Sequence, residues 1–232
     1  MAFDIYAGGF ARYYAREWEN VMQAHSRENG IEYQMVRPKG DSGPADWDEV
    51  AEAVGHWRGA MLRGLQEHAP ADLDWSEDRS GPYFTDRPGW DGYSALVLLA
   101  ACTACGEPLP ERLPEDALAS EVVLRTHDPE LRNSFRAITM AQLWLPGSFD
   151  FSFDFPGLTD ETTCITSVKV LVEDLDQLVV RYGIRPERIQ ELVEDGYPDD
   201  ADFITLATYG LGIFSKVAKQ ALAHRLPIQL SY

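Results

Sequence analysis

Carboxylates interleaved with aromatic rings are the residues of this chain whose types and spacing invite chemistry. Between residues 72 and 93, the run DLDWSEDRSGPYFTDRPGWDGY sets Trp75, Tyr83, Phe84, Trp90 and Tyr93 among Asp74, Glu77, Asp78, Asp86 and Asp91. Ring faces attract cations and carboxylates attract basic groups, so such a segment could bind a sugar, a cation or an arginine-rich surface. Should two of Asp74, Glu77, Asp86 and Asp91 converge in a cleft, one with a raised pKa, a carboxylate-dependent hydrolase becomes the alternative. The plainer reading is a long loop that folds its rings back over the core.

Two further clusters carry acid. In SFDFSFDFPG, residues 148–157, period-two alternation puts Phe149, Phe151, Phe153 and Phe155 on one face of a strand. Asp150, Ser152 and Asp154 take the other face. Positions four apart on a strand are separated by roughly 13 Å, too far for Asp150 and Asp154 to share a metal ion or a proton. The strand is chiefly architectural, with a wet acidic face that could also receive a basic partner. LTDETT holds Asp160 and Glu161, and VEDGYPDDAD holds Glu194, Asp195, Asp199, Asp200 and Asp202 around Tyr197. Neither run has the spacing of a calcium loop. Asp199 and Asp200 suit a helix start. If they act, they do so as a negative recognition surface with Tyr197 as its aromatic anchor.

Other familiar chemistry is missing from the sequence. Cys102 and Cys105 form a C-x-x-C, but no second ligand pair stands at zinc spacing, and the motif falls at the end of an apolar helix rather than at a helix start. Small buried core residues are the expectation there. Nothing around Cys164 resembles a nucleophile elbow, and the five histidines are scattered. Gly210-Leu-Gly212 lacks the third glycine of a dinucleotide loop. No cofactor and no metal are expected. A small-molecule sensor lined by Tyr13, Tyr14 and Trp18 stands as a third reading.

The elements that must position these residues follow from periodicity. A strand is expected at residues 1–7, a helix over 10–27 and a second strand over 31–37. Asp46, with Glu49 three residues on, predicts the start of a helix running to residue 68. Residues 90–105 are apolar almost all round and should form a central buried helix. Short helices are expected at 117–124 and 129–143. Residues 166–182 follow the i, i+3, i+4, i+7 rule, with Val168, Leu171, Val172, Leu175, Leu178, Val179 and Tyr182 inward. Lys169, Glu173, Asp174 and Gln177 are assigned to its solvent face. Helices over 186–193 and 203–224 precede a last strand at 227–232, with Gly210 and Gly212 marking close packing, a kink or a strand end. Helices outnumber strands, which fall in pairs or singly. The fold class is α+β, a mostly helical single domain over residues 1–232 with a small antiparallel sheet.

Composition narrows the partners. The 232 residues are 45% hydrophobic, ample for a core, and carry 38 acidic against 20 basic side chains, a net charge of −18. Such a surface repels polyphosphate, so nucleic acid is not an expected partner, and a basic protein or small cations are attracted. No apolar run reaches the length of a bilayer, and no secretory leader is expected. Three cysteines make no disulfide framework, which suits a reducing cytoplasm. The stretches MAFDIYAGGFARYYAREWENV and WDGYSALVLLAA resemble an uncharacterised family of acidic bacterial cytosolic proteins over the first hundred residues. That resemblance implies a bacterial source and no activity. The acidic, motif-free character is more loosely similar to immunity proteins that neutralise secreted toxins. The expected function is therefore a non-enzymatic binding protein for a basic protein partner. Its candidate binding residues are Trp75, Glu77, Asp78, Tyr83, Asp86, Trp90, Asp91, Asp150, Asp154, Tyr197, Asp199 and Asp200.

Overall fold

Alternation in the N-terminal strand decides how the molecule is layered. In β1, Asp4–Ala7, Ile5 and Ala7 face one way and Tyr6 the other, and all are buried. A strand buried on both faces needs cover on both. A computed structural model of the chain, which describes residues 3–32, 45–128, 135–158 and 161–232, supplies it. It is an α+β fold with one six-stranded mixed sheet among the described residues.

The elements follow in chain order. After β1 come α1 (Phe10–Ala15), α2 (Val21–Glu28), α3 (Trp47–Leu65), β2 (Phe84–Asp86) and α4 (Gly89–Cys105). Then follow α5 (Glu121–Arg125), α6 (Arg136–Thr139), β3 (Leu143–Leu145), β4 (Phe153–Pro156) and β5 (Thr162–Ser167). The chain closes with α7 (Val168–Tyr182), α8 (Pro186–Asp195), α9 (Phe203–His224) and β6 (Ile228–Ser231). Sheet order is β2-β1-β6-β3-β5-β4. Every pairing is antiparallel except β3 with β5. The last strand thus lies in the middle of the sheet, between β1 and β3.

One face of the sheet, with Ile5, Ala7, Trp144 and Ile228, packs against α4, α7 and α9. The other, with Leu143, Leu145 and Ile165, packs against α1, α3 and the loop that carries Leu73 and Trp75. Helix α4 is the buried centre that its composition predicts, ended by Gly106 in the left-handed conformation. It lies flat on α9 because both helices present glycine at the crossing: a Cβ on Gly210 would run into the Gly92 carbonyl. Gly210 and Gly212 therefore mark close packing inside one unbroken helix.

Four expectations give way. The helix over 10–27 splits in two, because Arg16 turns left-handed at φ 60° and Asn20 starts α2 with a reciprocal capping box to Gln23. The break lets Trp18 stack on Tyr13 at 5.5 Å and lean on Tyr6 at 5.0 Å, so ring packing wins over helix continuation. The loop 69–89 contains β2, which pairs with β1. The strand of residues 148–155 is regular only over β4, at the sheet edge. Finally β5 occupies TTCITS, a β-branched run whose last two residues fall within the helix expected over 166–182. Of the expected strand at 31–37, residues 33–37 lie outside the described residues, as do 129–134 of the expected helix at 129–143 and Asp160. Asp46 caps α3 as predicted, accepting from the Asp48 and Glu49 amides.

Candidate functional site

The segment before β4, meant by its pattern for a strand, is instead held as a ledge over the start of α7. Ser167 caps α7 by accepting the Val170 amide at 3.1 Å and donates its own hydroxyl to the Phe149 carbonyl at 2.7 Å. Thr166 donates to the Phe151 carbonyl at 3.3 Å. These two bonds take residues 149–152 off the ladder and carry Asp150 and Ser152 over the helix. From the other side comes α6, a single turn fixed by Trp144, whose ring N–H donates to the Ala137 carbonyl at 2.8 Å.

A cleft of about 390 Å³ remains between them, lined by Arg136, Asp150, Phe151, Ser152, Thr166, Val170, Glu173 and Asp174. Asp174 is buried, with 3% of its surface exposed. It accepts the Ala137 amide, while its Oδ2 has no hydrogen-bond partner. Burial pushes its pKa up to about 7, the Ala137 amide opposes the rise, and neighbouring Glu173 adds to it. A carboxyl poised there can hold or release a proton at neutral pH, or serve as counter-ion to a cation. A wider cleft of about 610 Å³ shares Glu173 and runs along α7 past Asp176, Gln177 and Val180 towards Thr103.

This buried carboxylate corrects the assignment of Asp174 to the solvent face. Its spacing did carry a signal. Position 174 is three residues after Leu171 and four before Leu178, both fully buried, so it falls inside the apolar stripe. An acid at a stripe position is the exception worth marking.

The predicted residues separate into groups. Around the start of α4, Trp90 packs against Phe3 at 4.7 Å and Tyr232 at 5.7 Å. Tyr197 donates its hydroxyl to Asp91 at 2.6 Å and sets its ring edge-on to Tyr209. Asp199 lies close enough to help raise the Tyr197 pKa, after burial and Asp91. Trp90, Asp91, Tyr197 and Asp199 are thus brought together, with Asp200 exposed next in sequence.

The others are dispersed. Trp75 is core, edge-on to Phe10 and under the Arg58 guanidinium. Glu77 accepts the Trp75 ring N–H and the Ala11 amide, so it caps α1, and burial raises its pKa against those donors. Asp78 accepts the amide and hydroxyl of Ser80 within its own turn. Tyr83 receives the Glu19 amide and lies under Arg12. Asp86 is buried against Lys216 at 2.7 Å, and Asp74 pairs with Arg58. Asp154 is exposed on the edge strand, apart from Asp150 in the cleft. Of the carboxylates named for hydrolysis, Asp74, Glu77, Asp86 and Asp91 each answer to a different partner, and none lines either cleft.

Of the aromatics named for a sensor cavity, Tyr13 and Trp18 pack ring on ring with Tyr6, which also stacks on Tyr83, and Tyr14 sets edge-on to Tyr13, so they fill the space between α1 and the sheet. Cys102 is buried and burial raises its thiol pKa, while burial and then Asp154 push the Cys164 thiol to about 11. Neither is an activated nucleophile. Among the described residues, no group of three histidine, cysteine or acidic side chains is placed to hold a metal ion. No described helix is long and apolar enough to cross a membrane.

The chain matches no protein-family model, no curated protein and no solved structure. Its functional reading rests on the geometry.

Proposed function

We propose that the chain is a non-enzymatic bacterial binding protein that docks a basic protein partner, and in the specific form of this reading the partner is a toxin that it neutralises. The observation that carries the proposal is the face at the start of α4. There Trp90, Tyr197 and Tyr232 stand 38, 44 and 66% exposed beside Asp91 and Asp199. Large rings with polar tips supply most of the affinity in protein interfaces, and carboxylates at their margin select a cationic surface. A net charge of −18 adds long-range attraction that speeds encounter.

The test is to identify the proteins encoded by neighbouring genes and titrate the chain with any cationic one, at low and high salt. Affinity should fall by about tenfold or more as salt rises through the physiological range, because exposed charges are screened over roughly 8–10 Å. Trp90→Ala or Tyr197→Ala should weaken binding by about 2 kcal/mol, whereas Asp154→Asn on the edge strand should leave it near wild type. Binding that ignores both salt and the ring truncations removes the proposal.

A further inference from the structure

At the other end of α4 from the docking face, two thiols stand one turn apart. Cys102 is buried, 3% exposed, and Cys105, the last residue of the helix, is partly exposed. Packing accounts for Cys102, a member of the core, whereas Cys105 lies outside it. Both thiols look towards α5. The Cys105 Sγ lies 3.8 Å from the Val122 carbonyl and takes a bond from the Arg125 guanidinium, which also holds Glu107 at 3.0 Å. Cys102 feels the same neighbours, Cys105, Glu107 and Arg125, after the burial that raises its thiol pKa.

Position decides what such a pair can do. At a helix start the dipole stabilises a thiolate, and the corresponding disulfide is a strong oxidant. Here the pair ends the helix, where the dipole is negative, so the reduced form gains no such help and a disulfide once made tends to persist. That is the chemistry of a switch rather than of an oxidoreductase. Zinc is no alternative, since it takes four ligands and no third donor joins the pair among the described residues. Residues three apart on an α-helix hold their Cβ atoms about 5–6 Å apart, and a disulfide needs about 3.5–4.5 Å. Tightening to a 3₁₀ turn closes that gap, because positions i and i+3 then eclipse. The last turn of α4 is where this disturbs least: Gly106, at φ 70°, and Glu107 both give their amides to the Cys102 carbonyl, and the helix stops there.

We propose that Cys102 and Cys105 form a reversible oxidation site that exchanges with a low-molecular-weight disulfide and closes to an intrahelical disulfide. Cys105, the accessible sulfur, loses its proton and attacks one sulfur of the reagent; a mixed disulfide forms, and the first reagent thiolate leaves and takes up a proton. Arg125 puts positive charge where the exchanging sulfurs carry negative charge. Cys102 then loses its proton and attacks the Cys105 Sγ, the bond to the reagent breaks, and a second reagent thiol departs. Two protein thiols are oxidised and one reagent disulfide is reduced. Closure draws the Cys105 sulfur from Val122 and Arg125, and so loosens α5. The site is separate from the α4 docking face, so either proposal stands without the other.

The experiment treats the reduced, folded chain with oxidised glutathione, alkylates the remaining thiols and maps the peptides by mass spectrometry. A Cys102–Cys105 disulfide is expected, with Cys164, the single thiol on β5, still alkylated. Closure should speed up about tenfold from pH 7 to pH 8, since the Cys102 thiolate fraction grows tenfold per unit below its pKa. Hydrogen exchange at the Leu124 and Thr126 amides of the α5 turn should quicken in the closed form. Cys102→Ser should trap the glutathione adduct on Cys105, and dithiothreitol should reverse both products. The peptide map uses the unaltered chain, so it decides the matter whatever the variant does to folding. A chain that stops at the Cys105 adduct, keeps both thiols free, oxidises Cys164 equally fast or closes without any change in α5 exchange overturns the proposal.

Discussion

Asp91 and Asp174 are both helix aspartates beside a cleft or face, and the molecule treats them in opposite ways. Asp91 sits in the first turn of α4, where the helix dipole favours a negative charge, and accepts a hydroxyl from exposed Tyr197. Asp174 sits in the middle of α7, 3% exposed, with half of its hydrogen-bonding capacity unused. The first meets its donor at the surface, and the second, its pKa pushed up to about 7 by burial, is held part-way to neutrality. Placement in the fold, far more than residue type, leaves one carboxylate at the surface with a hydroxyl donor and shuts the other in with one oxygen unpartnered.

The largest test of that contrast is Asp174→Asn. A folded-state pKa raised to about 7 means that the native state holds a proton which the unfolded chain releases near 3.8. Stability from this group is therefore complete below about pH 4 and is lost as pH rises through 7. The variant escapes that loss. Its stability advantage over wild type should grow between pH 4 and 7 and level off above, at on the order of 2–4 kcal/mol by urea unfolding. Equal stabilities at pH 5 and pH 8 would mean that Asp174 is not protonated in the fold.

Next in size is Gly210→Ala, which probes the α4–α9 contact that sets the position of the first face. A Cβ there collides with the Gly92 carbonyl, so the helices must part, at a cost of about 2–3 kcal/mol in thermal or urea unfolding. Asn20→Ala removes the side-chain half of the α2 capping box, the acceptor of the Met22 and Gln23 amides, keeps the backbone amide that donates to Gln23, and should cost about 1 kcal/mol. The smallest effect belongs to Lys219→Ala. Its partner Asp176 is two residues from Asp174 on the same helix, yet both members of the pair are more than half exposed. A change of about 0–1 kcal/mol that shrinks in salt is expected. A larger one would mean that the exposed face of α7 is more tightly coupled to α9 than its solvation allows.

Much of this scaffold was legible in the chain. The stripe of α7, the apolar α4 and the Asp46 cap of α3 follow from spacing and side-chain chemistry that act within a turn or two. The breaks were less legible. Nothing local to residues 10–27 announces that Trp18 is needed against Tyr6 and Tyr13, and nothing local to Phe149–Phe151 shows that Ser167 and Thr166 will claim their carbonyls. The α4 face was half visible, since Trp90 and Asp91 were named with Tyr197 and Asp199 although more than a hundred residues separate the two pairs. Trp75, Glu77 and Asp86, acidic and aromatic like the rest, went instead to the core, a cap and a half-buried ion pair.

By itself the sequence determined the acidic balance, the helices with clean periodicity, their caps and the α+β class, because those depend on composition and on neighbours a few residues away. The tertiary structure alone decided that the last strand enters the middle of the sheet, that β5 runs parallel to β3, and that one carboxylate of α7 is shut in by α6 and the ledge before β4. Burial is a property of what other segments bring to a residue, and charge at a buried position becomes informative only once those segments are in place.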